Sequence, residues 1–300
     1  MNTFFSTAND PLRPPGAGRR AFSLIEVMAS VAMLTVIILG LVAMFGQTRK
    51  AFTVGLNQVD YLESGRAVAD IMARDLEQIT PSYVSNTPNF FLDTPLGYTV
   101  PLVQTNALDS FTNNISEFYF LTRYNQTWNG IGYKVVFSDV GRQIGALYRY
   151  YAPNIYISYT NNQTTPSGLD LRNQAGIFTN FYAMDPSATT NRIIDGVVNL
   201  RIRLFDPHGA PLMAGNIPYN TRVLTNTFSG EYVYGLFTSN ALPAFVEVEL
   251  GVLETRTFEN YRAFTNNAAA AQEFLRKHAA QVHVFRQRIP LRNVDPLAYP

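Results

Sequence analysis

The chain has 300 residues, of which 47% are hydrophobic and 15% are charged, so it can form a large core and wholesale disorder is not expected. The formal net charge of +1 argues against a nucleic-acid-binding surface spread over the whole molecule. Cysteine is absent, which excludes disulfides and thiolate metal sites, and only three histidines are present.

An uninterrupted apolar segment lies near the N-terminus. Val27–Phe45 has no charged side chain, and extending the segment back to Phe22 adds only Glu26. Because a helix rises ~1.5 Å per residue and a bilayer core needs ~20 apolar residues, this segment predicts a membrane-spanning helix. Three arginines precede it: Arg13, Arg19 and Arg20. They predict a cytoplasmic N-terminus, since basic residues favour that side of the membrane.

Two common kinds of N-terminal segment fit this pattern incompletely. A secretory signal peptide has a shorter apolar region and ends in a small-x-small cleavage site, which the terminal AMFGQTRK lacks. An ordinary single-pass anchor accounts for the length of the segment but not for Glu26. A third interpretation accounts for both the length of the segment and the acid.

Residues 18–45 read GRRAFSLIEVMASVAMLTVIILGLVAMF. This stretch resembles the N-terminus of type IV prepilins and type II secretion pseudopilins, which have a basic leader, an aromatic first mature residue and a glutamate fifth in the mature chain. The resemblance implies cleavage between Ala21 and Phe22, N-methylation of Phe22 and an assembly role for Glu26. The family usually has glycine in the place of Ala21, but the register of Glu26 favours this cut over one after Gly18.

The same resemblance implies three kinds of partner: a prepilin peptidase that is also an N-methyltransferase, other pilin-like or pseudopilin subunits, and inner-membrane lipid. An ionisable group in an apolar helix costs ~2.5–3.5 kcal/mol at the bilayer centre, so it persists where it finds a partner. Cleavage before Phe22 would create an α-amine near the depth of Glu26, and the two groups could pair between neighbouring helices. The alternative is that Glu26 lies at the cytoplasmic interface, where burial costs little.

Helical periodicity continues beyond the apolar segment. Apolar or small residues recur in a 3-4-3-4-3 spacing, namely Leu62, Gly65, Ala69, Met72, Leu76 and Ile79, with Val68 and Ile71 beside them. Thr80-Pro81 ends the pattern, because a residue before proline disfavours the helical conformation. We predict one helix from Phe22 to Ile79 that is apolar all round in its first half and amphipathic in its second half.

Period-two alternation of apolar and polar residues follows, which indicates strands with one buried face. It is clearest in Val198–Leu204, where Val198, Leu200, Ile202 and Leu204 are predicted to face one way, and in Val246–Val252. Further candidate strands are Glu117–Arg123, Tyr133–Ser138, Ala146–Tyr151 and Val282–Ile289.

Turns and loops are indicated between these strands. Asp139–Arg142 could close a hairpin, Asp206–Gly209 is a strong turn signal, and Asn267–His278 reads as one short helix. Three stretches look like loops or insertions: residues 81–114, 152–191 and 206–243, the last with apolar pieces such as Tyr232–Phe237. Their composition does not define a role for them.

A second resemblance concerns four segments of the C-terminal part: VVNLRIRLFDPHGAPL (197–212), LPAFVEVELGVLE (242–254), VHVFRQRIPL (282–291) and ESGRAVADIMARDLEQI (63–79). These resemble the helix and the second half of J-type minor pseudopilins. That resemblance implies a place near the tip of a filament.

Signals for catalysis are weak. No phosphate-binding loop, metalloprotease helix or nucleophile elbow is present. His278 and His283 are poorly spaced for one helix face, and Glu247 and Glu249 are interpreted as a solvated strand face. Four acids lie near predicted loops and are therefore candidate calcium ligands, namely Asp170, Asp185, Asp195 and Asp206. No EF-hand spacing supports a calcium site there. We predict no enzyme activity, no cofactor and no metal.

Together these patterns predict an α+β, pilin-like protein with a long N-terminal transmembrane helix packed on an antiparallel β-sheet body. The predicted segments are a leader (1–21), a helix (22–80, with 22–45 in the membrane) and an extracytoplasmic β-rich domain (81–300). The resemblance implies a minor structural subunit of a type II secretion pseudopilus or a type IV pilus. The alternative is a membrane-anchored extracytoplasmic binding protein or enzyme with an uncleaved N-terminus.

Overall fold

The computed structural model of the chain describes residues 23–94, 101–103, 110–137, 144–155, 192–213, 217–225, 232–264 and 267–300. The prediction of an α+β protein with an N-terminal apolar helix and an antiparallel sheet is confirmed. Helix α1 spans Leu24–Glu77. The predicted leader, Phe22 and the proposed turn at Asp139–Arg142 lie outside the described residues, as do Asp170 and Asp185.

The described residues contain eleven strands and two further α-helices. They are β1 (Pro88–Asp93), β2 (Pro101–Val103), β3 (Ser110–Thr112), β4 (Glu117–Tyr124), β5 (Thr127–Phe137), β6 (Gly145–Ile155), β7 (Arg192–Phe205), β8 (Thr221–Thr225), β9 (Tyr232–Thr238), β10 (Phe245–Leu253), α2 (Thr255–Tyr261), α3 (Ala268–Lys277) and β11 (Val282–Pro290). Nine strands form one antiparallel sheet in the order β11-β10-β7-β6-β5-β4-β1-β9-β8, and β2 pairs with β3.

The chain divides into two compact units, residues 1–55 and residues 56–300, with the boundary inside α1. In the first unit, the side chains of residues 23–53 are all exposed. The second unit holds the sheet and the hydrophobic core. The finer division into leader, helix and extracytoplasmic domain stays a prediction.

The C-terminal part of α1 is amphipathic, as predicted. Its buried hydrophobic side chains are those of Tyr61, Val68, Met72, Ala73 and Leu76, and Ile79 is buried two residues beyond the end of the helix at Glu77. Leu62, which we predicted on the same stripe, is 37% exposed. The prediction is wrong at this residue because the buried face begins at Tyr61 and continues four residues later at Gly65.

Alternation in the sheet explains the rest of the core. Val246, Val248 and Leu250 on β10 lie opposite Leu204, Ile202 and Leu200 on β7, and all six are buried. The prediction that Val198 shares this face is wrong. The register of β7 against β10 shifts between Gly251 and Val252, so Val197 replaces Val198 on the core face and Val198 joins a separate cluster beside α2 and α3.

The stretch 81–114, which we interpreted as a loop, contains a central strand. Strand β1 lies between β4 and β9, with Phe90 and Leu92 in the main core and Phe91 in a second aromatic cluster on the opposite face. The prediction failed because flanking prolines outweighed a short apolar run. The stretch 206–243 likewise contains β8 and β9, and α2 was not predicted.

The predicted turn at Asp206–Gly209 is confirmed. The Asp206 carboxylate accepts a hydrogen bond from the backbone N–H of Ala210 at 2.7 Å, and Gly209 has φ +85°. Glycine is favoured there because other residues rarely adopt that backbone conformation. The predicted helix Asn267–His278 is also confirmed as α3, whose N-terminus is capped by the Asn267 side chain.

Candidate functional site

The first feature that can carry a function is the apolar surface of α1. Leu24–Thr53 is long enough and apolar enough to cross a membrane. At ~1.5 Å per residue these 30 residues extend about 45 Å, against a hydrocarbon core of ~30 Å. Leu24 is 81% exposed and Phe45 is 68% exposed. A continuous apolar surface of this kind requires lipid or protein to cover it.

Glu26 is in the first turn of this helix. The backbone N–H groups of Glu26 and Val27 donate to the Ser23 carbonyl at 3.0 and 3.2 Å, so the helix is already formed at the acid. The hydroxyl of Ser30 donates to the Glu26 carbonyl at 2.7 Å. A carboxylate in a first turn is favoured by the helix dipole, and the Glu26 side chain is exposed among apolar neighbours. Ala21 and Phe22, the predicted cleavage and methylation residues, lie outside the described residues.

A second feature is a polar clamp that holds α1 to the sheet. The Asp75 side chain accepts hydrogen bonds from Arg149 on β6, with Nε at 2.6 Å from Oδ2 and Nη2 at 3.1 Å from Oδ1. The Tyr133 hydroxyl on β5 donates to Asp75 Oδ2 at 2.5 Å. One carboxylate therefore joins three elements of the second unit.

Burial and charge shift two pKa values at this clamp. Burial raises the pKa of the Tyr133 phenol above its ordinary range, and the negative charge of Asp75 raises it further. Hydrogen bonding to Asp75 raises the pKa of the Arg149 guanidinium against the opposing effect of burial. Asp75 was not singled out from the sequence as a buried group. The sequence feature that could have indicated its burial is its position directly before Leu76, which belongs to the apolar stripe of α1.

A third feature is a ladder of charges on the outer face of β7, β10 and β11. Glu249 lies between Arg201 and Arg286, at 3.6 and 3.0 Å, and Glu247 lies between Arg203 and Arg286, at 3.2 and 3.3 Å. We interpreted the two glutamates as solvated. This is wrong, because Glu249 is only 5% exposed and each glutamate faces an arginine on both neighbouring strands.

The remaining candidates for chemistry are engaged in the fold. The His278 ring lies 2.7 Å by Nδ1 from the Phe274 carbonyl, and the His283 ring packs on Tyr61 with centroids 5.3 Å apart. Asp195 pairs with Arg192. Within the described ranges no group of three or more potential metal ligands is present.

Comparisons with family models, with curated proteins and with solved structures return no match for this chain. The residues of the chain itself therefore carry any assignment of function.

Proposed function

We propose that this chain is a pilin-like structural subunit, anchored by α1 in an inner membrane and assembled with other pilin-like or pseudopilin subunits into a filament. A prepilin peptidase would remove residues 1–21 and methylate Phe22. The body would lie outside the cytoplasm, because the arginines before α1 favour a cytoplasmic N-terminus. The subunit would have no catalytic role.

One observation carries this proposal: a lone acid in the first turn of α1, directly before an exposed apolar segment that carries no charge. Val27–Thr48 has no charged side chain, so Glu26 is set apart from the next charges at Arg49 and Lys50. An anchor alone needs only the apolar length. The free-energy cost of placing the Glu26 charge in an apolar environment is offset if a positive group on a neighbouring helix pairs with it.

The sequence pattern around the proposed cut supports this assignment. A new α-amine at Phe22 would lie about one helical turn from Glu26, so amine and carboxylate on adjacent subunits could pair with a fixed axial offset. The segments that resemble J-type minor pseudopilins favour a place near a filament tip in a secretion pseudopilus. A type IV pilus is the alternative assembly.

The first experiment determines the N-terminus of the protein purified from membranes. We expect an N-terminal peptide that begins at methylated Phe22 in intact-mass and peptide mass spectrometry. The matched variants are Ala21→Gly, which keeps a small residue and should be cleaved, and Ala21→Arg, which should retain the leader. An unmodified N-terminus that still carries residues 1–21 would contradict the proposal and favour the anchored binding protein or enzyme.

The second experiment separates membrane insertion from assembly. Glu26→Leu should still enter the membrane, because it makes the helix more apolar, but should be lost from cross-linked or sheared filaments. Glu26→Asp keeps the charge and should retain more assembly than Glu26→Leu. If Glu26→Leu is incorporated as well as the parent chain, the pairing role is refuted.

A further inference from the structure

Strand β11 forms one edge of the nine-stranded sheet. It pairs with β10 along its whole length, from Val282 opposite Leu253 to Pro290 opposite Phe245, with no register shift. Within the part of the chain that the structure describes, no strand pairs with its other edge. Val284 is 45% exposed, and the Arg286 side chain is 51% exposed. A long, regular and accessible edge strand is a template for another strand.

The hydrogen bonds at both ends of β11 show which of its amides face that edge. The N–H of Leu291 donates to the Ala244 carbonyl, and the N–H of Glu254 donates to the Gln281 carbonyl. Both bonds place odd-numbered residues of this segment toward β10. Because antiparallel strands alternate, the backbone groups of Val284, Arg286 and Arg288 point away from β10.

Pro290 continues the same outward-facing series. Proline has no N–H, so in a sheet it is accommodated at an edge position whose N–H would face outward. Its ring therefore leaves the β10–β11 ladder intact and marks the end of the available edge at Arg288.

The charges beside this edge are unbalanced. Four arginines and two glutamates line the outer face of β7, β10 and β11: Arg201, Arg203, Arg286, Arg288, Glu247 and Glu249. Within the described residues Arg288 has no carboxylate partner. It donates to the Gly209 carbonyl at 3.1 Å, and its guanidinium carbon lies 3.9 Å from the centroid of the Phe205 ring and 4.9 Å from that of Phe245. An arginine held on aromatic rings at an accessible edge is well placed to bind a carboxylate.

We propose that the outer edge of β11 binds an extended segment of another protein, which adds as an antiparallel strand and carries acidic side chains opposite Arg286 and Arg288. Backbone hydrogen bonds to Val284, Arg286 and Arg288 supply affinity, and the two carboxylates supply specificity. The position next to Val284 takes an apolar side chain. This site uses neither Glu26 nor the proposed cleavage before Phe22, so it does not depend on the proposed filament.

The test uses the full chain in detergent micelles and a short blocked fluorescent peptide of sequence TETETVT. In an antiparallel arrangement this peptide places its two glutamates beside Arg288 and Arg286 and its valine beside Val284. We expect binding that weakens with added salt and that is at least about tenfold tighter than binding of the same peptide with lysine in place of glutamate. N-methylation of the peptide amides that face β11 should abolish binding. N-methylation of the alternate amides, which face away, should preserve it.

A pair of protein variants tests the edge itself. Val284→Pro removes an outward N–H at a position of the same series as Pro290, and should weaken binding at least about tenfold. Val284→Ala keeps the N–H and should bind like the parent chain. Equal thermal unfolding midpoints for the two variants would show that the fold is retained, and the N-methylated peptides need no protein variant.

Three results would overturn the proposal. The first is that the acidic peptide shows no binding up to the highest concentration at which it is soluble. The second is equal binding of the two N-methylated peptides or of the acidic and basic peptides. The third is a second copy of this chain on the same edge, seen as self-association that Val284→Pro abolishes while the acidic peptide does not compete. None of these results bears on the N-terminus or on Glu26.

Discussion

The Asp75 carboxylate uses both oxygens within the second unit. Its side chain is 12% exposed and that of Arg149 is 30% exposed, so both groups have left most of their water. Removal of two charges from water is costly, and the bidentate geometry together with the Tyr133 hydroxyl offsets that cost. Because Asp75 bonds to both β5 and β6, the clamp fixes how the C-terminal part of α1 is rotated about its axis against these two strands.

Loss of one partner should therefore be more harmful than loss of both. We expect Arg149→Met to lower the free energy of unfolding by about 3 kcal/mol, because it leaves a mostly buried carboxylate unpaired. The double variant Asp75→Leu/Arg149→Met should recover a large part of that loss. Denaturant unfolding in micelles measures both. A double variant less stable than Arg149→Met alone would contradict this view of the clamp.

The raised pKa of Tyr133 predicts a pH dependence of stability. The folded pKa lies above the ordinary value of 10.0, so the phenol stays protonated in the folded chain while it ionises in the unfolded chain. Its stabilising contribution is present below pH 10 and is lost as the pH rises above that value, at about 1.4 kcal/mol per pH unit for one group.

The matched variant is Tyr133→Phe, which keeps the ring and removes the ionisable hydroxyl. Between pH 10 and 11.5 its unfolding free energy should fall less steeply than that of the parent chain, by roughly the amount expected for one proton. Burial also raises the pKa of Tyr61, Tyr234 and Tyr299, so the parent slope contains further contributions and the difference between slopes is the relevant quantity. Parallel slopes would contradict the assignment.

At the scale of elements, α1 and β11 approach each other closely at Gly65. A Cβ atom at that position would lie 2.2 Å from the Phe285 ring, which is far inside contact distance. Glycine in a helix destabilises it by ~1 kcal/mol relative to alanine, so the contact with Phe285 must stabilise the fold by more than this if glycine is the better residue here. Glycine allows the Phe285 ring to lie directly on the helix backbone.

Gly65→Ala tests that approach. We expect a loss of about 2 kcal/mol in unfolding free energy, because the gain in helix propensity is outweighed by displacement of the Phe285 ring. Gly65→Ala/Phe285→Leu should be less destabilised than the sum of its two single variants, since the smaller side chain leaves room for the methyl group. Gly40→Ala is the control, because a Cβ there meets nothing within 4 Å. Additive effects would argue against the contact.

The elements differ in how far local sequence predicts them. The amphipathic half of α1 and the alternation in β10 follow from spacings within a few residues. Strand β1 does not, because Phe90 is buried through pairing with Phe120 and Phe237, and those partners lie far along the chain. Asp75 and Arg149 are 74 residues apart, so no periodicity places them together. The charge ladder is a product of register between three strands, which the alternation within a single strand leaves undetermined.

At the scale of the whole molecule, the two units differ in what they need around them. The described hydrophobic core begins at Tyr61 and draws all its members from the second unit. The described side chains of the first unit, by contrast, are exposed, and from Val27 to Thr48 none of them is charged. The body should consequently reach its fold without lipid, and the anchor should not.

A chain that begins at Leu56 tests this division. We expect it to be soluble without detergent and to unfold cooperatively, with a midpoint within about 4 °C of the body in the full chain, because it keeps every described core residue. The matched control begins at Ala69 and so lacks Tyr61 and Val68, two buried core side chains. Their loss should lower the unfolding free energy by about 3–5 kcal/mol. If the longer chain aggregates or unfolds while the full chain in micelles stays folded, residues 1–55 contribute to the fold of the body and the two units are not energetically separable.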